Sequence, residues 1–382
     1  MKQPPSSPSL PWDLLREVFA RCNHETLVRC TVSSRLLSRC MLDDPALLRR
    51  ASATGFAPSL FLGAFHDYSS HGGSRIGFVE APGQNIVTRI PIRSFLSSND
   101  TSNLIRSFDQ AVSCRGGLVV LRRIEQQRTV ELCICNPMTG QHCSIPPPVY
   151  YASLTILTGG EDLNGFQLLA VGVTIGTWEG ASYVFHSQLF SATQQPFPAI
   201  MPGGEWGPGI PCRSAPAKTC FGYDVVAIHA HDGCTELIKG PSEITRLRIR
   251  SNAVLLASTA DRRLSLVVTE EMVISVLVLF EELGTWEHHA TIVRQGILAP
   301  RQWLRFDYFG ATSGSVAITV CRVPGFLLLN LETQEVTHMP GGDEALSPPC
   351  CLYELDMPSV AAAYVSMHHS ASIIVLLSEF LK

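Results

Sequence analysis

The string HAHDGC at residues 229–234 sets His229 and His231 on alternate positions, a spacing that sends two imidazoles to one side of a strand. Asp232 follows, so the three groups could share a divalent metal and activate a water for hydrolysis. A further carboxylate-rich segment would have to complete such a site, and none has recognisable spacing. A metal-dependent hydrolase using His229, His231 and Asp232 is therefore the alternative reading. The preferred one holds no metal and no cofactor.

Other reactive residue types read as packing or surface. Cys133 and Cys135 stand one residue apart, and Cys350 and Cys351 are adjacent; neither pair has the C-x-x-C spacing of a zinc site. His288 and His289 follow Trp286 and read as strand surface. No P-loop, dinucleotide fingerprint or nucleophile-elbow motif occurs, which leaves phosphate-cradle and serine-hydrolase chemistry without support.

Composition narrows the class. Apolar residues make up 46% of the 382 and charged residues 16%, a globular balance. The start, MKQPPSSPSLPWD, lacks the apolar stretch of a secretory leader, so an intracellular protein of the cytoplasm or nucleus is expected, its 13 Cys reduced. The apolar runs at 272–280 and 372–377 are too short to span a bilayer, so no membrane partner is expected. The net charge of −4 divides into +3 over residues 1–50 and −7 over the body, and an acidic body without a basic stripe argues against nucleic acid.

The elements that position any site change character along the chain. Near the front, Leu14, Leu15, Val18 and Phe19 form one helical stripe over about Pro11 to Arg21. Asn23 offers a cap for a second helix with Leu27, Val28 and Val32, and Leu36, Leu37, Cys40 and Met41 form a third apolar set. So few residues cannot bury all of this among themselves. After about residue 56 the pattern turns to short apolar runs divided by turn residues: GLVVLRR, VELCICN, FQLLAVGV, SYVFHSQLF, LSLVVTE, VISVLVLF, VAITVCRV and GFLLLNLE.

An internal repeat refines this. CNPMTGQHCSIP and LNLETQEVTHMP share Asn136 with Asn330, Thr139 with Thr333 and Pro146 with Pro340, each read as strand, tight turn, strand. LFSATQQPFPAIMP and LFEELGTWEHHATI are looser echoes. Recurrent hairpins favour stacked blades over a single sandwich. The expected class is multidomain α and β: a disordered tail at 1–8, a small helical domain at 9–50 and a large all-β, propeller-like domain at 51–382. The Pro/Gly-rich stretch from Gln194 to Lys218 is expected to be irregular, with Trp206 as a candidate anchor for a partner.

SLPWDLLREVFARCNHETLVRCTVSSRLLSRCMLDDPALLRR resembles the F-box: Leu10-Pro11, Asp13-Leu14-Leu15, Glu17-Val18, Arg21, Leu27 and Arg29-Cys30 match its pattern. Leu37 stands where many members carry Trp. The body is similar to the β-rich domains that follow the F-box in plant proteins, grasses above all, through CNPMTGQHCSIPPP, GTWEHHATI and LLLNLETQEV. The resemblance implies a non-catalytic subunit of an SCF-type cullin-RING ubiquitin ligase. The F-box would dock on a Skp-type adaptor, and through it a cullin, while the β-domain captures an unidentified protein substrate. The adaptor-binding residues it implies are Leu10, Pro11, Leu14, Leu15, Val18, Phe19, Leu27, Arg29, Cys30 and Leu37.

Overall fold

The computed structural model describes residues 11–22, 26–27, 30–31, 35–44, 55–70, 73–81, 99–126, 128–148, 153–158, 167–176, 182–191, 194–197, 225–228, 235–242, 244, 253–269, 273–280, 284–293, 304–321, 323–339 and 349–355. The chain divides into two units, one of residues 1–55 with 357–382 and one of residues 56–356. Among the described residues no helix is long and apolar enough to cross a membrane.

The first unit holds helices α1 (Trp12–Phe19) and α2 (Arg35–Leu42), with Thr26, Leu27, Cys30 and Thr31 also helical. Pro11 sits at the N-cap of α1, and its carbonyl accepts the N–H groups of Leu14 and Leu15 at 3.1 and 3.2 Å. Proline suits this place because the missing N–H would have had no helical partner, and Asp13 in the first turn complements the helix dipole.

The second unit is built from antiparallel sheets. Four have four strands in sequence order: β3 (Gln110–Arg115) to β6 (His142–Ile145), β7 (Ser153–Thr158) to β10 (Gln194–Phe197), β13 (Val254–Ser258) to β16 (Thr285–Val293), and β17 (Leu304–Gly310) to β20 (Val336–Met339). A two-stranded sheet joins β11 (Val225–Ile228) to β12 (Thr235–Ile238). The sixth sheet spans the length of the unit, because β21 (Pro349–Glu354) pairs with β1 (Phe61–Ser70), which pairs with β2 (Gly73–Glu80). Helix α3 (Asn99–Arg106), which the apolar pattern does not announce, lies between β2 and β3.

Alternation along the strands presents apolar side chains to both faces, so each sheet packs against the next. Leu118, Val120 and Ile134 of the β3–β6 sheet meet Leu154, Ile156 and Leu168 of the β7–β10 sheet. Val267 and Ile274 meet Phe306, Val316 and Ile318 across the β13–β16 and β17–β20 sheets. Ala317 and Leu328 meet Phe61 and Leu352 of the sixth sheet, and Val225 of β11 meets Leu266 and Val268 of β14 (Leu264–Thr269). Edge strands of successive sheets stand side by side in the succession β13, β17, β21, β3, β7. At about 1.5–3 kcal/mol for each fully buried aliphatic side chain, these contacts are the main stabilising term.

The repeat is a structural one. Asn136 closes β5 (Arg128–Cys135), and its carboxamide oxygen accepts the N–H groups of Met138 at 2.9 Å and Thr139 at 3.3 Å. Asn330 does the same after β19 (Phe326–Asn330) for Glu332 and Thr333, both at 2.9 Å. In both turns the Asn N–H donates to the carbonyl five residues on, Gln141 or Glu335, at 2.9 Å. The residue four positions on takes a left-handed backbone, Gly140 with φ 73° and Gln334 with φ 59°. All four echo segments fall between the third and fourth strands of a four-stranded sheet. Asn136 is buried while Asn330 is half-buried, so Asn136→Ala, which strands the buried Met138 N–H away from water, should cost about 1–3 kcal/mol and Asn330→Ala about 1 kcal/mol in denaturant unfolding.

A polar latch holds β21. Glu354 is buried, and its two carboxylate oxygens accept the N–H groups of Thr312 and Ser313, each at 3.0 Å, from the turn between β17 and β18 (Ser315–Val320). Its main chain reaches the other way, since the Gly117 N–H in the turn between β3 and β4 (Leu118–Glu125) donates to the Glu354 carbonyl at 2.9 Å. Tyr353, fully buried, donates its hydroxyl to the Gly117 carbonyl at 3.2 Å. Gly310 has no room for a Cβ because the Glu354 carboxylate fills that space. The Pro/Gly-rich stretch that reads as irregular begins as a strand, β10, paired with β9 (Ser182–Ser191). The rest of it, Trp206 included, lies outside the described residues.

Candidate functional site

The amphipathic α1 separates its apolar residues into an inward and an outward set. Phe19 is buried, 3% exposed, with its ring edge-on to Trp12 at 6.2 Å between centroids. Leu27 and Met41 are also buried, at 3% and 1%. Leu14 and Val18, four residues apart and therefore one above the other on a helix, are each 51% exposed. Leu15, Cys30 and Leu37 are half-buried, and Pro11 is exposed. Leu10 and Arg29 lie outside the described residues.

Polar contacts fix this helical unit. The Arg16 guanidinium Nε lies 2.6 Å from the Asp44 carboxylate, a bridge that ties the end of α2 back to α1. Thr31 donates its hydroxyl to the Leu27 carbonyl at 2.8 Å, and Ser38 of α2 donates to the Thr31 carbonyl at 2.6 Å. Both hydroxyl side chains are fully buried. Burial pushes the Cys30 and Cys40 thiols up, with the neighbouring Cys22 and Asp43 adding in each case. Neither thiol is poised as a thiolate nucleophile, and the unit has the properties of a contact surface.

Sequence spacing finds the Leu14–Val18 stripe but not the partition of Phe19 and Leu27 to the interior, which helices remote in sequence decide. It also misses the Arg16–Asp44 bridge, for the same reason.

Cys133 and Cys135 of the β unit read as packing groups. Cys133 and Cys135 are buried, and burial pushes the Cys133 thiol up to about 12, with Glu131 adding. His288 and His289 lie exposed on the outer strand β16, where the Thr291 hydroxyl is 2.9 Å from the His288 Nε2. Trp286 Nε1 donates to the Lys239 carbonyl at 2.7 Å, tying β16 to the segment after β12. His229, His231 and Asp232 lie outside the described residues. Among the described residues no three His, Cys, Asp or Glu side chains are grouped to hold a metal. Purified protein should carry less than about 0.1 equivalent of zinc, iron or manganese by elemental analysis. A ratio near one, lost in His231→Ala, would favour the hydrolase reading.

Comparison with known proteins adds a family. No curated protein matches the chain. A functionally unknown protein from Desulfotomaculum acetoxidans is similar at 9% identity over 65% of this chain and 76% of that one, with a TM-score of 0.32. An acylaminoacyl peptidase, solved in complex with Z-Gly-Gly-Phe-chloromethyl ketone, is similar at 10% identity and a TM-score of 0.35; the match covers 74% of this chain and 46% of the peptidase. A domain family described as "Domain of unknown function (DUF7595)" matches residues 83–367, from after β2 to beyond β21. With well over half of its length matched, the chain belongs to the DUF7595 domain family.

Proposed function

We propose that the protein is the substrate-recognition subunit of an SCF-type cullin-RING ubiquitin ligase, non-catalytic in itself. Its helical unit docks on a Skp-type adaptor, and its β unit, a six-sheet propeller, captures a protein substrate. The observation that carries this reading is the division of the F-box-like segment. Phe19, Leu27 and Met41 fill the interior, while Leu14 and Val18 are left on the outside of α1. A surface helix with no partner favours polar residues at such positions.

Magnitudes set what docking requires. Leu14 and Val18, half-exposed as they are, supply together about 1.5–3 kcal/mol on burial, against an association cost of about 4–15 kcal/mol. The interface must therefore extend over the half-buried Trp12, Leu15 and Leu37. The propeller reading draws support from the succession of edge strands, from the joining of β1 to β21, and from the shared third-to-fourth-strand hairpin. Function then follows from proximity: holding a substrate lysine beside a ubiquitin-charged enzyme turns a bimolecular encounter into a local one.

The test is affinity purification of the full chain from cells. A Skp-type adaptor and a cullin should co-purify with the parent and be lost from the Leu14→Asp, Val18→Asp variant. Their absence from the parent, or their retention by the variant, would overturn the proposal.

A further inference from the structure

Three thiols converge where β21 faces the β3–β6 sheet. Strand register places Cys114 of β3 opposite Val119, and Val119 opposite Cys135 of β5, so both thiols lie in one row on one face. The opposite face, with Leu118, Val120 and Ile134, packs on the β7–β10 sheet, which leaves this face to β21, whose Tyr353 hydroxyl bonds the Gly117 carbonyl. Cys351 precedes Tyr353 by two residues and so emerges on the same side of β21. β21 and β3 lie side by side, and after burial itself the Cys114 side chain is the next cause that raises the Cys351 thiol. Cys351 and Cys135 are buried at 2% and 1% exposure, whereas Cys114 is half-buried. One thiol within reach of solvent is thus backed by a sequestered one on the neighbouring sheet.

We propose that Cys114 and Cys351 form an oxidation site, in which a hydroperoxide converts the thiol pair to a disulfide that ties β21 to β3. The Cys114 sulfur, as thiolate, attacks a peroxide oxygen; the O–O bond breaks, and the departing hydroxide takes up a proton and leaves as water, giving a sulfenic acid. The Cys351 sulfur then attacks the Cys114 sulfur, the S–O bond breaks, and the Cys351 proton leaves with the oxygen as a second water. Two thiols lose two electrons, and one hydroperoxide group is reduced. Burial pushes the Cys351 thiol well up, which assigns first attack to Cys114 and resolution to Cys351. The bond closes a loop from residue 114 to residue 351, most of the β unit, and a long loop is where a cross-link most restricts the unfolded chain. Oxidation therefore fastens the strand on which closure of the sixth sheet depends.

The full chain is exposed to hydrogen peroxide while folded, alkylated with N-ethylmaleimide and digested with trypsin without reductant. Mass spectrometry should find the 107–115 peptide, which holds Cys114, linked to the 323–382 peptide, which holds Cys350 and Cys351. The link should persist in Cys350→Ser and vanish in Cys114→Ser and Cys351→Ala. Oxidation should raise the unfolding midpoint of the parent by about 5 °C or more and leave Cys114→Ser unchanged. Should Cys351→Ala misfold, Cys114→Ser at its half-buried position carries the test alone. Linkage of Cys114 to Cys135 or Cys350, full alkylation of Cys114 after peroxide, or a link formed only on thermal unfolding would each overturn the proposal.

Discussion

Glu354→Ala should destabilise the β unit by about 2–5 kcal/mol. The N–H groups of Thr312 and Ser313 lose the carboxylate they donate to, and Glu354 is buried, so no bulk water replaces it. Removing the side chain also leaves a void between the β17–β18 turn and the β3–β4 turn, which adds a packing cost. Chemical denaturation followed by tryptophan fluorescence would measure the loss. A change below about 0.5 kcal/mol would show that the latch is dispensable.

The same residue predicts a pH dependence whose sign can be worked out. Burial raises the Glu354 carboxyl above its ordinary value of 4.5, against the opposing effects of Ser313, Thr312 and Arg115. Below that value the group is protonated in both states and its contribution is present in full. As pH rises through the folded value the contribution is lost, because the unfolded chain ionises more readily. Glu354→Gln cannot titrate, so the parent's advantage over this variant should shrink as the pH rises above 4.5. Asp307, buried beside Arg305 and Thr319, is also raised by burial, but it is common to both proteins and cancels in the comparison.

The second large effect separates the two sets of residues on α1. Phe19→Asp buries an unpaired carboxylate where an aromatic ring packs on Trp12; the lost packing alone costs about 3–5 kcal/mol, which a small helical unit cannot absorb. Brief trypsin treatment of this variant should cut at Arg16, Arg21 and Arg39 at least tenfold faster than in the parent. Leu14→Asp and Val18→Asp place their charges in water and should leave that cleavage rate within about twofold. Equal protection of Phe19→Asp and the parent would contradict the inward assignment of Phe19.

What the sequence makes legible follows from burial. The eight apolar runs that read as strands are the second and third strands of the four four-stranded sheets. Those strands are flanked by sheet on both edges, and where Val119 and Val120 stand on successive positions both faces are covered. First and fourth strands carry more polar residues: β3 reads QAVSCR, and β16 is exposed at Thr285, Glu287, His288 and His289. Their local patterns resemble loops. The sheet of β2, β1 and β21 unites segments almost three hundred residues apart, so no window of sequence can reveal it. The paired turns at Asn136 and Asn330 are the opposite case, since their whole hydrogen-bond set lies within six residues. On the helical unit, spacing alone identifies Leu14 and Val18 as one stripe. It cannot tell that Phe19 turns inward, because Trp12 and the helices beyond Leu27 decide that.

Titration of the purified full chain into a purified Skp-type adaptor by calorimetry tests the central claim most directly. The parent should bind with one-to-one stoichiometry and a Kd of about 1 µM or tighter. The Leu14→Asp, Val18→Asp variant, folded by its trypsin resistance, should bind at least about a hundredfold more weakly, as two desolvated charges would require. No heat of binding from the parent, or equal affinity of parent and variant, would contradict the assignment of α1 as a docking helix.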